Sequence, residues 1–306
     1  MNVLSLFDGM SCGQIALNRC GIKYDNYFAS EIKKHAIQVT QHNYPNTIQL
    51  GDIRNIKGSD LPEIDLLIGG SPCQDFSLAN KVKKGLQGEK SGLFFEYTRI
   101  MKETKPKYFL LENVVMDEKS MNFISQEIGV YPVRINSSLV SAQLRDRLYW
   151  TNIKGTGENL FGNYIKLPED KKIMLKDIIT SGDVSKEKCN CLLESESRNP
   201  GATWSSFRRF FKWGFVNLVF ENKMFYESFM LKDKTLEQFK EIWKEGDTRK
   251  LNQIELERLQ TVPEGYTKIL NRNKAACLLG DGWTIDVICH IFNEGIKSGQ
   301  FFTGDK

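Results

Sequence analysis

The chain has 306 residues, of which 41% are hydrophobic and 26% are charged, and its formal net charge is +4. This composition excludes a disordered or fibrous chain, and the mild positive charge permits a nucleic-acid partner without requiring one. We see no apolar run of membrane-spanning length and no basic head or cleavage site at the N-terminus, so we expect neither a membrane segment nor a secretory signal. Seven cysteines, an odd number, then predict free thiols in a reducing cytosol.

The first element is a strand over residues 2–7, followed by a glycine turn, Phe7 to Gly13, and a helix over 14–19. In such a turn, backbone N–H groups and the helix N-terminus face a ligand and favour a carboxylate or phosphate there. A dinucleotide fingerprint needs three glycines, and only Gly9 and Gly13 are present, so a nicotinamide cofactor fits poorly. On this motif alone, a bare turn of an α/β fold fits about as well.

Two more acidic residues follow predicted strands. Residues 26–30 predict a strand ending at Glu31, about the distance after a glycine turn at which an acidic residue commonly binds ribose hydroxyls. Asp52 follows a short apolar stretch and could accept from an adenine amino group. Either residue could instead be an exposed charge. The turn and both carboxylates together fit one adenosine-bearing cofactor.

Residues 64–68 predict a buried strand that leads through two glycines to Pro72 and Cys73. Cys73 would therefore follow the carboxyl end of a parallel strand, where open α/β sheets bind ligands. Taken alone, Cys73 is better explained as a buried structural thiol. Residues 78–90 then form a lysine-rich stretch that suits a loop closing over a phosphate backbone, or simply a solvated loop.

A further strand over 107–111 ends at Glu112, which places a carboxylate at the same sheet edge as Cys73 or at the start of the next helix. Residues 131–140 predict another strand that runs into Gln143, Arg145 and Arg147. In a strand these three side chains would share one face. They could form an ion-pair ladder, or fork onto a base carbonyl and a catalytic carboxylate.

Residues 154–248 are polar and loop-like, without βαβ rhythm. Residues 205–213 interleave basic and aromatic side chains, which suits nucleic acid, although the aromatic residues taken singly favour a small core. Cys189 and Cys191 are the only close cysteine pair, and no histidine is near, so we expect no metal. Helices are predicted over 249–261 and 271–280, and a turn from Gly280 to Trp283 precedes the last helix.

In this order the segments resemble the cytosine-5 DNA methyltransferase family, over nearly everything outside 154–248. The amino-acid sequences of the motifs are most similar to those of small phage or bacterial orphan enzymes and of the catalytic domain of animal de novo methyltransferases. The resemblance implies an α/β fold with a Rossmann-like methyltransferase sheet. It further implies a catalytic and cofactor-binding domain at 1–153, a smaller target-recognition domain at 154–248, and a segment returning to the catalytic domain at 249–306.

The resemblance also implies the chemistry. Cys73 would add to carbon 6 of cytosine, Glu112 would contact ring nitrogen 3, and Arg147 with Arg145 would hold the base carbonyl and Glu112. The methyl donor would be S-adenosyl-L-methionine, in contact with Phe7, Asp8, Gly9, Met10, Ser11, Glu31, Ile32, Asp52, Ile53, Pro72, Leu93, Asp281, Gly282 and Trp283. The base would be flipped out of double-stranded DNA. DNA contacts are expected from Gln74, Ser77, Lys81, Lys83, Lys84, Gln143, Arg208 and Arg209.

One position departs from the family, because Asp281 stands where asparagine is usual. Its charge could weaken cofactor binding or find a local partner. We expect a cytoplasmic monomer of a bacterial or phage-infected cell, with or without a cognate restriction endonuclease. The alternatives are an RNA (tRNA) cytosine-5 methyltransferase and a catalytically silent DNA-binding accessory protein.

Overall fold

The computed structural model describes residues 1–71, 92–160, 162–192, 203–214, 216–299 and 301. The chain divides into two compact units. The first comprises the described residues within 1–136, 146–168 and 285–306, and the second comprises those within 137–145 and 169–284.

The first unit is built on a seven-stranded sheet. Its strands are β1 (Asn2–Leu6), β2 (Asn26–Ser30), β3 (Ile48–Gln49), β4 (Leu66–Gly70), β5 (Tyr108–Val114), β6 (Val133–Asn136) and β8 (Asp146–Thr151), in the order β3-β2-β1-β4-β5-β8-β6. The first five strands are parallel to one another, whereas β8 is antiparallel to both of its neighbours, β5 and β6. The α/β prediction is thereby confirmed.

The apolar side chains on both faces of this sheet are buried, as expected for parallel strands flanked by helices. The helices of the first unit are α1 (Cys12–Arg19), α2 (Lys34–Asn43), α3 (Gly92–Thr104), α4 (Glu118–Ile128) and α10 (Ile285–Lys297). Helices α1 and α10 pack against each other. A two-stranded ribbon, β9 (Gly157–Asn159) and β10 (Gly162–Tyr164), completes the unit.

The second unit combines short strands with five helices in its described part. Its strands β7 (Gln143–Leu144) and β11 (Cys189–Asn190) are parallel, and β12 (Leu218–Phe220) and β13 (Thr248–Lys250) are antiparallel. Its helices are α5 (Trp204–Trp213), α6 (Lys223–Met230), α7 (Leu236–Ile242), α8 (Gln253–Leu259) and α9 (Arg272–Asp281). A core of phenylalanines joins α5, α6, α7 and β12, with members Phe207, Phe210, Phe220, Phe225 and Phe239.

Five local predictions were wrong. The stretch 154–248, expected to be loop-like, contains α5, α6 and α7. The helix expected over 249–261 begins at Gln253, because Arg249 and Lys250 belong to β13. The strand expected over 131–140 stops at Asn136, because Ser137–Leu139 form a 3-10 turn. The strand expected to carry Gln143, Arg145 and Arg147 is broken at Arg145, so the three do not share one strand face. The turn expected from Gly280 to Trp283 starts later, because α9 continues through Asp281.

The range Arg272–Lys297, which contains α9 and α10, is long and apolar enough to cross a membrane by length and composition alone, although the sequence analysis expected no membrane-spanning run. Of its most apolar window, 67% is buried inside the protein, which is the pattern of a core helix.

Candidate active site

Strand β4 leads directly to the predicted catalytic motif. Its last residue, Gly70, pairs with Glu112 on β5. A side chain at Gly69 would meet the Leu6 carbonyl oxygen at 2.9 Å and the Tyr97 ring at 3.0 Å, so glycine is required for this close packing. Seven of the predicted site residues lie outside the described residues, namely Pro72, Cys73, Gln74, Ser77, Lys81, Lys83 and Lys84.

Glu112 and Arg147 form an ion pair at the carboxyl end of β5. Arg147 Nε donates to Glu112 Oε1 at 2.9 Å, and both side chains are largely buried. The antiparallel register of β5 and β8 brings them together, since Val114 pairs with Arg147 and Glu112 with Tyr149. A buried charge-assisted hydrogen bond fixes the carboxylate in one orientation. Two predicted catalytic residues are therefore adjacent in the first unit.

Asn113, which sequence reasoning missed, links the neighbouring strand end to this pair. Its side-chain amide donates to Ser71 Oγ at 3.0 Å, and its carbonyl oxygen accepts from the Val114 N–H at 2.8 Å. Both Asn113 and Ser71 are buried. The only sequence signal was that Asn113 directly follows Glu112 at a strand end.

The glycine turn after β1 is held by Glu31. Phe7, Gly9 and Ser11 all have positive φ angles, between 58° and 61°. The Gly9 N–H donates to Glu31 Oε2 at 2.8 Å, and the N–H groups of Ile32 and Lys33 donate to Oε1. Two predicted cofactor elements, the turn and the carboxylate after β2, are thus directly bonded.

Asp8 lies inside the turn rather than at its surface. Its carboxylate accepts from the Ser11 hydroxyl at 2.5 Å and from the Tyr27 hydroxyl at 2.8 Å, and only 8% of the residue is exposed. Burial raises the pKa of Asp8 to about 6, although the hydroxyl hydrogen bonds oppose the shift and nearby Glu31 adds to it. Met10, on the same turn, is fully buried.

Asp52 caps a short 3-10 helix, Ile53–Asn55, and pairs with Arg54. Arg54 Nε lies 3.0 Å from each Asp52 oxygen, and hydrogen bonds from Arg54 lower the pKa of that carboxyl. Ile53 is buried in the core of the first unit, and Leu93 packs against that core. Ile32, by contrast, is exposed.

In the second unit, the Arg145 guanidinium is buried and bonded to backbone. It donates to the carbonyl oxygens of Gly280 at 3.0 Å and Gly282 at 2.9 Å. Asp281 is exposed at the end of α9, whereas Trp283 is buried. The contact of Arg145 with the base and Glu112 stays a prediction.

The predicted DNA-contacting residues of the second unit differ in exposure. Gln143 is fully buried, and its amide bonds to the backbone of Leu192 and Leu259, so it would have to leave these partners to reach DNA. Arg208 and Arg209 are exposed on α5. Of the aromatic residues of that helix, Phe207 and Phe210 enter the core, as expected for the aromatic residues taken singly, whereas Phe211 and Trp213 are exposed.

Known proteins resemble this chain in sequence and in fold. The sequence profile of C-5 cytosine-specific DNA methylases matches residues 1–297. The orphan methyltransferase M.SPRI of Bacillus phage SPR is 35% identical over 195 residues, which is 60% of this chain and 43% of that protein. The type II methyltransferase M.NgoBV of Neisseria gonorrhoeae is 41% identical over 115 residues, which is 36% of this chain and 27% of that protein. The matched stretches thus span less than half the length of these two relatives.

A mutant of DNMT2 from Spodoptera frugiperda has a similar fold. Its crystal structure superposes with a TM-score of 0.70 at 16% identity, covering 96% of this chain and 99% of that chain. At this identity the likeness shows the fold alone, while the profile match over residues 1–297 shows the family. The chain belongs to the C-5 cytosine-specific DNA methylase family.

Proposed function

We propose that this protein transfers a methyl group from S-adenosyl-L-methionine to carbon 5 of a flipped-out cytosine in a specific DNA sequence, through a covalent adduct with Cys73. The observation that carries the proposal is the buried Glu112–Arg147 pair, 2.9 Å apart. It lies on the strand beside β4, which leads to Cys73.

The chemistry requires the residue types found here. Carbon 5 of cytosine is a poor nucleophile, and addition of the Cys73 thiolate to carbon 6 makes it enamine-like. Glu112 would bind ring nitrogen 3 as charge develops there, and Arg147 would orient both that carboxylate and the base carbonyl. After methylation, loss of the proton from carbon 5 and departure of the thiolate would release the product.

The glycine turn fits S-adenosyl-L-methionine, which supplies an electrophilic methyl group when bound. Glu31 keeps acceptor capacity beyond the three backbone N–H groups it binds, which suits ribose hydroxyls. A Cβ built at Gly9 would meet no atom within 4 Å, so there is open space beside the turn. Asp52 could accept from the adenine amino group only in competition with Arg54. Asp281, Gly282 and Trp283 would supply further contacts.

Sequence recognition is assigned to residues 154–248, between a catalytic domain at 1–153 and the returning segment at 249–306. The exposed Arg208 and Arg209 lie on a helix anchored by buried phenylalanines, which suits contacts to the DNA phosphates. Substrate DNA would be double-stranded, with the target base flipped. We place the protein in the cytoplasm as a monomer, with or without a cognate restriction endonuclease.

The test is methylation of bacterial genomic DNA. Parent protein and S-adenosyl-L-methionine are incubated with unmethylated DNA, and protected cytosines are mapped by bisulfite sequencing. Protection in one short sequence context is expected for the parent and for Cys20→Ser, a cysteine control at the residue that follows α1. No protection is expected for Cys73→Ser. Equal methylation by Cys73→Ser would refute the covalent mechanism.

Two negative results separate the alternatives. Calorimetry that shows cofactor binding without protection of DNA would favour an RNA substrate, which a parallel assay on tRNA would reveal. The absence of both cofactor binding and DNA protection would favour a catalytically silent DNA-binding accessory protein.

A further inference from the structure

Arg145 satisfies the C-terminal carbonyls of α9. The last carbonyls of a helix have no partner within the helix. Here the two arms of one guanidinium donate to Gly280 O at 3.0 Å and Gly282 O at 2.9 Å. Only 3% of Arg145 is exposed, so these bonds are shielded from water. A cation at this end also complements the helix dipole.

Gln260 holds the same turn from a second direction. Its side-chain amide donates to Leu279 O at 2.6 Å, and its carbonyl oxygen accepts from the Thr284 hydroxyl at 2.8 Å. The Thr284 hydroxyl oxygen in turn accepts from Ser137 Oγ at 2.9 Å. All three side chains are buried. The backbone from 279 to 284 is therefore fixed at both ends by side chains distant in sequence.

The clamped segment contains Asp281, Gly282 and Trp283, which the family resemblance assigns to the cofactor. We propose that Arg145 is a positioning residue for cofactor binding, acting through the carbonyls of Gly280 and Gly282, an assignment that rests on the proposed function. Arg147 has a different partner, Glu112, which the proposed function assigns to the base. The two arginines of one short motif would thus have different roles: Arg145 positions the turn that binds the cofactor, and Arg147 orients the groups that bind the base.

The two roles can be measured separately, by hydrogen exchange at the base and by cofactor binding. Without cofactor, the thiolate can add to carbon 6, a solvent proton can add to carbon 5, and loss of the original hydrogen with departure of the thiolate restores cytosine. Exchange of tritium from carbon 5 of DNA cytosine therefore reports on the base machinery alone. Calorimetric titration with S-adenosyl-L-methionine, without DNA, reports on cofactor binding alone.

The test compares Arg145→Lys and Arg147→Lys with the control Arg134→Lys, an exposed arginine paired with Asp146. Lysine keeps the charge but cannot fork onto two carbonyls. Arg145→Lys should raise the Kd for S-adenosyl-L-methionine about tenfold, the scale of one lost charged hydrogen bond, with tritium exchange within about twofold of the parent. Arg147→Lys should bind S-adenosyl-L-methionine like the parent but lose tritium exchange. Arg134→Lys should match the parent in both cofactor affinity and tritium exchange.

Parent-like cofactor affinity in Arg145→Lys, with loss of tritium exchange, would overturn the assignment and return Arg145 to the base. Gln260→Asn provides a second test and should also raise the Kd; thermal unfolding identifies any variant that fails to fold. If the parent binds cofactor but exchanges no tritium, the proposed activity on DNA fails, while the Kd of both variants still decides the positioning role. A parent that binds no cofactor refutes both proposals.

Discussion

Asp8→Asn should remove a pH-dependent loss of stability from the glycine turn after β1. Burial raises the pKa of Asp8 from 3.8 to about 6 in the folded protein. The folded state therefore binds a proton more tightly than the unfolded state between these two values. Stability contributed by this group is complete below pH 3.8, falls as the pH rises, and is lost above about pH 6.

The shift sets the size of the effect. About two pKa units correspond to about 3 kcal/mol of unfolding free energy, lost by the parent between pH 4 and 7. The groups facing the carboxylate are the hydroxyls of Ser5, Ser11 and Tyr27, with Glu31 as the charged neighbour. An asparagine keeps the shape and an acceptor for Tyr27, but it does not titrate.

Urea unfolding at a series of pH values measures the difference. The unfolding free energy of Asp8→Asn minus that of the parent should rise by about 3 kcal/mol from pH 4 to pH 7. Tyr27→Phe, which removes one hydrogen bond to the carboxylate, should move the parent's loss of stability to higher pH. A difference between Asp8→Asn and the parent that is constant across this range would refute the reasoning.

Three further changes have defined outcomes. Arg147→Met leaves Glu112 buried without its ion-pair partner and should lower the unfolding free energy by about 3 kcal/mol, whereas adding Glu112→Leu should restore part of it; urea unfolding of single and double variants checks this. Phe207→Ala opens the aromatic core of the second unit and should cost about 3 to 5 kcal/mol in the same assay. Arg208→Ala with Arg209→Ala, on the same helix but exposed, should leave stability nearly unchanged. The double variant should weaken DNA binding and reduce its salt dependence, as measured by fluorescence anisotropy. Parent-like DNA binding would remove these arginines from the interface.

The parallel strands could be predicted because their signals are local. Residues 26–30 form β2 as expected, and the apolar run before Gly69 forms β4. Helix α5 was missed, although Phe207 and Phe210 recur at helical spacing and both enter the core. The basic and aromatic composition of residues 205–213 suits nucleic acid, whereas the three-residue spacing of Phe207 and Phe210 is the pattern that indicates a helix.

By itself, the sequence determined the order of the motifs, the α/β class and the family, because glycine turns, apolar runs and strand-end carboxylates are local features of the chain. Only the tertiary structure decided which polar groups meet. Asp8 finds Tyr27 across 19 positions, and Arg145 finds Gly280 across 135. A buried polar group must have a partner, but the sequence does not say which distant group supplies it. For that reason Arg145 and Arg147, two positions apart, could not be assigned different partners until the fold was known.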